Sequence, residues 1–344
     1  MNDLVPVGAT TFPMASPPVH ADLGLGGALP AAPLIRAWLR GDEGAAPGAT
    51  RLRAAYWASA LWQGDPRGTV LLFAGRTEYI EKYLRVIARL TAMGFAVATL
   101  DWRGQGMSER SAPHLLGHVD DFAEYQRDVD AFLDWAPVRG AIGPKVLLCH
   151  SMGGAIGLRA LVDGRLTPDA VIYSAPFWGL GVAGVARGIA RQMAKGAVAI
   201  GLGMRGLPGG AGDTASETYV MHQGFEDNVL TSDPEHFAWF KAQASARPDL
   251  TLGAPTLAWL AAAFRELDAL AQIPAPDVPA LVLLGSDEQV VSSDAIKSWV
   301  ARAPDAALTM LPGARHEGLM ESPSRAQGKL AWATINGFLR ARRI

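Results

Sequence analysis

The sequence predicts an α/β protein: a mostly parallel central sheet, helices on both of its faces, and a helical insertion. Three observations predict it. Short apolar runs rich in β-formers alternate with segments whose apolar residues recur at helical spacing. The alternation stops between about Phe177 and Leu270, where helical or loop-like stretches and glycine clusters take over, and then resumes. Of 344 residues, 49% are hydrophobic and 19% charged, which supplies a globular core.

The elements follow in order. Residues 1–49 are rich in Ala, Gly, Pro and Thr without a sustained period, and read as an irregular arm with one short helix around Ala32–Leu39. Arg51–Trp57 is a strand. Thr69–Gly75 (TVLLFAG) is a buried strand closed by glycine. Tyr79–Met93 is a helix with Tyr83, Ile87 and Leu90 on one face, and Gly94 ends it before the strand Phe95–Trp102. A helix at Phe122–Trp135, a strand at Lys145–His150, a helix at Met152–Val162 and a strand at Ala170–Ser174 continue the rhythm. After the insertion come strands at Pro279–Gly285 and Ala307–Gly313. The helix Pro323–Arg343 closes the chain, its last turn cationic as suits the negative end of a helix dipole. The expected layout is an arm at 1–49, a core at 50–176 and 271–344, and a helical cap at 177–270.

Composition narrows the function classes. Thirty-one Lys and Arg against 33 Asp and Glu give a net charge of -2, which excludes a strongly basic nucleic-acid binder. A single cysteine excludes an intrachain disulfide and a CxxC-type zinc cluster. No charge-free apolar run approaches the roughly 18 residues of a membrane span. The opening MNDLVPVGATTFPMASPPVHADLG lacks the layout of a secretory signal, so a soluble protein of a reducing compartment is expected.

The chemistry is expected at strand ends. In Lys145–Gly154 (KVLLCHSMGG) an apolar strand runs straight into Ser151, with Gly153 and Gly154 behind it. A serine in a strained strand-to-helix turn needs small residues two positions away, so that the backbone can pass. Gly153 meets that demand, and Cys149 stands where the G-x-S-x-G pattern has its first glycine. A serine there is also a common helix N-cap. The later strands carry what the serine would need: GSDEQVV brings Glu288 or Asp287 and LPGARHE brings His316, in the order Ser, acid, His. In open α/β sheets that edge binds ligands. His150 reads as a packed residue on the far side of its strand, and Cys149 as a buried structural thiol. His20 falls in the arm, and His114, His118, His222 and His236 read as surface residues.

From about Arg51 onward the chain resembles α/β-hydrolases of the bacterial lysophospholipase and monoacylglycerol lipase group, also described as serine aminopeptidase-like hydrolases. The resemblance rests on FAGRTEYIEKY (Phe73–Tyr83), LDWRGQGMS (Leu100–Ser108), CHSMGG (Cys149–Gly154), YSAPF (Tyr173–Phe177), NVLTSDPEHF (Asn228–Phe237), LGAPTLAWL (Leu252–Leu260), GSDEQVV (Gly285–Val291) and RHEGLME (Arg315–Glu321). It implies an α/β-hydrolase fold with an inserted cap, Ser151 as nucleophile and His316 as general base. It implies Glu288 as the acid, three residues after Gly285 and two before Val290–Val291. It implies an oxyanion hole from the backbone N–H groups of Arg76 and Met152. The loop often written His-Gly-x-Gly-Glu reads Ala74-Gly75-Arg76-Thr77-Glu78 here, so its local support must differ, and Arg76 with Glu78 is the ion pair to look for. WRGQGMS resembles a segment that braces the site from the neighbouring strand.

The implied activity is hydrolysis of carboxylic esters bearing one acyl chain, of the lysophospholipid or monoacylglycerol type, with no cofactor or metal. A small-ester hydrolase, an aminopeptidase-like amidase and a ligand sensor with little turnover remain alternatives on the same scaffold. Trp178–Met204 has an apolar face and a cationic face with Arg187, Arg191 and Lys195. It is read either as a packed lid helix or as a tunnel mouth resting on anionic lipid. The expected location is the cytoplasm, with a peripheral contact to the inner membrane face through the cap. The expected partner is a small acyl ester, and nucleic acid is not expected.

Overall fold

The computed structural model describes residues 34–40, 50–59, 65–112, 115–182, 184–207 and 218–344, and the side chains of Ala136, Tyr219 and His222 are outside that description. The expectations for residues 1–33 and 41–49 of the arm, for His20 and His114, for the side chain of His222 and for residues 183 and 208–217 of the insertion lie outside the described residues.

Among the described residues eight strands form one sheet: β1 (Leu34–Arg40), β2 (Arg51–Trp57), β3 (Gly68–Phe73), β4 (Phe95–Leu100), β5 (Lys145–His150), β6 (Ala170–Ser174), β7 (Ala280–Gly285) and β8 (Ala306–Leu311). Their spatial order is β1-β2-β4-β3-β5-β6-β7-β8. The pairs β1–β2 and β2–β4 are antiparallel and all others parallel. Among the described residues ten α-helices surround it: α1 (Leu84–Ala92), α2 (Ala123–Asp134), α3 (Ala136–Arg139), α4 (Met152–Val162), α5 (Gly184–Ala199), α6 (Tyr219–His222), α7 (Pro234–Ala246), α8 (Leu257–Gln272), α9 (Ser293–Val300) and α10 (Ala326–Ala341). This is the α/β-hydrolase fold that the sequence predicts.

Every residue of β3, β4, β6 and β7 is buried, as continuous apolar runs covered on both faces require. One core lies between the sheet and α2, α4, α8 and α9 and includes Phe73, Trp102, Phe132 and Trp259. The other lies beneath α1 and α10 and includes Ile87, Phe95 and Ile335.

One expectation fails at the start. Leu34–Arg40 is a strand, not part of a short helix or of an irregular arm. It pairs residue for residue with β2, Leu34 opposite Trp57 and Arg40 opposite Arg51. The guanidinium of Arg51 lies 4.5 Å from the centre of the Trp38 ring. The segment has helical spacing of its own, but the open edge of β2 offers a row of backbone partners, and tertiary pairing overrides local preference. Elsewhere the expected elements differ at their boundaries, and α3 and α9 are helices not among those expected from the sequence. The expected helix from Tyr79 begins as a 3₁₀ turn, Ile80–Tyr83, before α1.

A buried ion cluster fixes this end of the sheet. Arg53 on β2 donates to both Glu81 oxygens at 2.7 and 2.8 Å and to Asp101, just past β4, at 2.7 Å. All three side chains have no exposed surface. The Asp101 carboxylate also accepts the N–H groups of Ile80 and Met107 at 2.9 and 2.8 Å. The loops after β3 and β4 are thereby locked to β2. Removing one partner of such a cluster leaves uncompensated buried charge. Arg53→Met should therefore lower the unfolding free energy by about 3–5 kcal/mol, read from urea denaturation. An unchanged urea midpoint would show that the cluster contributes nothing to stability.

Candidate active site

Strand register brings the C-terminal ends of the central strands level. Phe73 pairs with Cys149, His150 with Ser174, Ser174 with Leu283 and Gly285 with Leu311. The residues just past those ends carry the candidate side chains: Arg76 after β3, Ser151 after β5, Glu288 after β7 and His316 after β8.

Ser151 has φ 48° and ψ -118°, a left-handed conformation that costs a non-glycine residue of order 1–3 kcal/mol. Its carbonyl accepts the N–H groups of Gly154 and Phe177, each at 2.8 Å, and its own N–H donates to Ser174 at 3.1 Å. These bonds hold the turn. Gly153 must be glycine, because a Cβ there would sit 2.2 Å from the Phe73 carbonyl oxygen. Met152 is the first residue of α4, where backbone N–H groups lack intrahelical acceptors and the helix dipole is positive.

His316 is held by Glu288 and not by Asp287: Nδ1 and the Glu288 Oε2 are 2.8 Å apart. The other Glu288 oxygen accepts the N–H groups of Val290 and Val291 at 2.6 and 3.0 Å. Burial alone would raise the Glu288 carboxyl, but the hydrogen bond and charge of His316 and the two backbone donors hold it below its ordinary value. An ionised carboxylate only accepts, so it fixes the proton on Nδ1 and leaves the Nε2 lone pair free to take one. Asp287 instead accepts from the Ser286 hydroxyl at 2.8 Å.

Ser151, Met152, His316 and Arg76 line one cavity of about 380 Å³. Its walls are largely apolar, with Phe177, Leu180, Leu230, Phe240, Leu252 and Trp259 among them. Such a cavity with a few convergent polar groups has the character of a small-molecule site.

The loop after β3 is braced as the WRGQGMS resemblance implies. Trp102 Nε1 donates to the Ala74 carbonyl at 2.9 Å, and Gln105 both donates to the Gly75 carbonyl at 3.1 Å and accepts from Thr77 N–H at 2.9 Å. The expected ion pair is different. Glu78 does not pair with Arg76; it binds Lys82 at 2.9 Å and accepts from Gly75 N–H and from the Tyr83 hydroxyl. Lys82 also binds Glu317, beside His316, at 2.6 Å. The second Glu317 oxygen faces His236 Nε2 on α7 at 2.9 Å. Burial opposes ionisation of both carboxyls, yet Lys82 keeps Glu78 and Glu317 below the ordinary value.

His236 and His118 are buried, contrary to their surface reading. His150 is packed as expected, donating through Nδ1 to the Ser174 carbonyl at 3.1 Å. However, its ring centre is only 4.8 Å from that of His316, on the site and not away from it. Burial pushes His150 down to about 4, so it is neutral at physiological pH. The sequence carried one sign of the Lys82 network, the helical i,i+4 spacing of Glu78 and Lys82. Glu317 and His236 are joined across 81 residues, and no local pattern reports that.

A family model described as serine aminopeptidase, S33, matches residues 64–323. The chain belongs to this family. Among curated relatives it is similar to a probable lysophospholipase L2 of Haemophilus influenzae, 26% identical over 79% of this chain and 84% of that protein. It is similar to lysophospholipase L2 of Escherichia coli, 30% identical over 65% of this chain and 64% of that protein. Among solved structures it aligns with a soluble variant of monoglyceride lipase from Saccharomyces cerevisiae with a TM-score of 0.66, at 19% identity over 91% of this chain and 96% of that one. At that identity the likeness speaks for the fold alone.

The two acidic neighbours can be separated by experiment. Glu288→Gln should lower kcat on a p-nitrophenyl ester by about a thousandfold or more, with the fold retained by circular dichroism. Asp287→Asn, which alters a carboxylate bonded to the Ser286 hydroxyl and not to His316, should keep a kcat near wild type. The reverse ranking in folded variants would move the acid role to Asp287.

Proposed function

We propose that the chain is a serine hydrolase that cleaves carboxylic esters of a single acyl chain, of the lysophospholipid or monoacylglycerol type. One observation carries this reading: Ser151 on its left-handed turn and a Glu288-oriented His316 open into the same largely apolar cavity. The family and its lysophospholipase relatives support it. A metal or organic cofactor has no step in this chemistry.

In this mechanism Ser151 Oγ attacks the ester carbonyl while His316 Nε2 takes its proton. Negative charge grows on the carbonyl oxygen and is met by the N–H groups of Arg76 and Met152, each such donor being worth roughly 2.7–4 kcal/mol. The tetrahedral species collapses, and His316 gives the proton to the leaving alcohol. The acyl group stays on Ser151. Water, deprotonated by His316, then attacks the acyl carbonyl, releases the fatty acid and restores the serine. Glu288 holds the tautomer and stabilises the imidazolium throughout.

The segment 177–270 acts as the cap over this site, its helices α7 and α8 contributing Phe240, Trp259 and Leu260 to the cavity wall. Its outer surface suits a lipid interface. Of the 13 large hydrophobic side chains that are exposed among the described residues, eight fall between Val182 and Met204, including Val185 at 80% and Ile200 at 72% exposure. Within that stretch α5 carries Arg187 and Lys195 and no acidic residue, while Arg191 is paired with Asp268 on α8. Apolar burial plus attraction to anionic headgroups is how interfacial helices bind. No helix of the described residues is long and apolar enough to cross a membrane.

Two measurements test the reading. With p-nitrophenyl esters, kcat/KM should rise from acetyl toward decanoyl, since each buried CH₂ group contributes about 0.8 kcal/mol, and Ser151→Ala should abolish turnover in a folded protein. A flat or falling series would favour a small-ester hydrolase, and activity surviving in Ser151→Ala would remove the serine from the mechanism. In cosedimentation, wild type should bind phosphatidylglycerol vesicles more than phosphatidylcholine vesicles. Val185→Ser with Ile189→Ser should release it, and equal binding by the double variant would sink the interfacial role of α5.

A further inference from the structure

Two cations line the cavity, and they differ in one respect. Lys82 is neutralised by Glu78 and Glu317. Arg76 has no carboxylate within ion-pair distance among the described residues. Its guanidinium donates through Nη2 to a neutral acceptor, the Gly253 carbonyl, at 2.7 Å, and its Nε–H is buried without a partner. It lies 5.2 Å from the centre of the Trp259 ring, and a Cβ at Gly117 would come within 2.9 Å of Nη2. A carbonyl, a ring and a glycine backbone therefore hold the group in place without matching its charge. Burial pushes Arg76 down to about 10, which still leaves it protonated at neutral pH.

An unmatched guanidinium in an apolar wall is costly by itself, and an arriving anion would offset that cost. Guanidinium is also the group best shaped to take two oxygens of one phosphate. Its position is informative. Gly75, the preceding residue, is so close to Ser151 that a Cβ there would lie 3.1 Å from the serine Cβ. The Arg76 side chain thus leaves the backbone beside the reacting ester. In a single-chain phospholipid the phosphodiester is one glycerol away from that ester. In a monoacylglycerol a neutral hydroxyl takes its place.

Resting on the ester-hydrolase reading above, we infer that the Arg76 side chain is a specificity-determining group that binds the phosphodiester anion of a lysophospholipid and so favours it over a monoacylglycerol of the same chain. This role belongs to the side chain and is separate from the backbone N–H of the same residue.

The test compares kcat/KM for lysophosphatidylethanolamine, lysophosphatidylglycerol and monoacylglycerol, all with one myristoyl chain and all below micelle formation. Wild type should prefer both phospholipids, and the two should behave alike because they share the phosphodiester. In Arg76→Gln the phospholipid-to-monoacylglycerol ratio should fall about 10–100-fold, the value of a hydrogen bond to a charged partner. Arg76→Lys, which keeps the charge but not the fork, should restore part of the ratio. A ratio unchanged in Arg76→Gln, including a parallel loss on every lipid, would overturn the assignment and leave Arg76 as a structural clamp on Gly253. A wild-type preference for monoacylglycerol would overturn it without any variant. Failure to cleave any of the three lipids, with p-nitrophenyl esters still turned over, would instead remove the lipid-ester reading and this assignment with it.

Discussion

A single ammonium group joins the parts of this site. Lys82 binds Glu78, whose other oxygen closes the loop after β3 by accepting the Gly75 N–H, and it binds Glu317, the neighbour of His316. The loop that would stabilise an oxyanion and the loop that carries the proposed base are therefore pinned to one point. Glu317 extends the link to His236, so α7 is fastened to the same point. Burial opposes ionisation of Lys82, Glu78 and Glu317, and the opposite charges they set against one another outweigh it. Such a network holds only when complete, which makes it a source of fixed geometry more than of net stability.

Much of the fold was legible because its strands are buried on both faces and end in glycine or turn residues. The sequence order Ser151, Glu288, His316 was legible for the same reason: each follows the end of a recognisable strand. The residues alone left Glu288 and Asp287 open, and the contacts differ because Glu288 reaches His316 while its second oxygen is taken by Val290 and Val291. What stayed hidden depends on partners distant in sequence. Leu34–Arg40 becomes a strand only because β2 offers an edge. His236 looks like a surface residue in a helix until Glu317 is brought against it. Along the chain Arg76 is as near a cation to Glu78 as the sequence offers, whereas the turn at Ile80–Tyr83 carries Lys82 back over the carboxylate.

That rearrangement gives the two cations of the cavity separate duties. With Glu78 and Glu317 satisfied by Lys82, Arg76 faces the cavity without a paired carboxylate among the described residues. The absence of the histidine often found at Ala74 fits the same economy: the loop is held by Glu78, Trp102 and Gln105 instead. Its side-chain support differs from that pattern while Gly75 stays packed against Ser151.

The thiol of Cys149 has a further consequence. It is the only thiol in the chain, it has no exposed surface, and burial raises its pKa well above the ordinary value. It lies on a central strand beneath Gly157, where an added Cβ would come within 2.5 Å of its sulfur. A maleimide can reach it only when β5 separates from its cover. At maleimide concentrations where labelling outpaces reclosing, the rate on unmodified protein therefore times the opening of the core that carries Ser151, giving a built-in reporter of how often the centre of the sheet breathes.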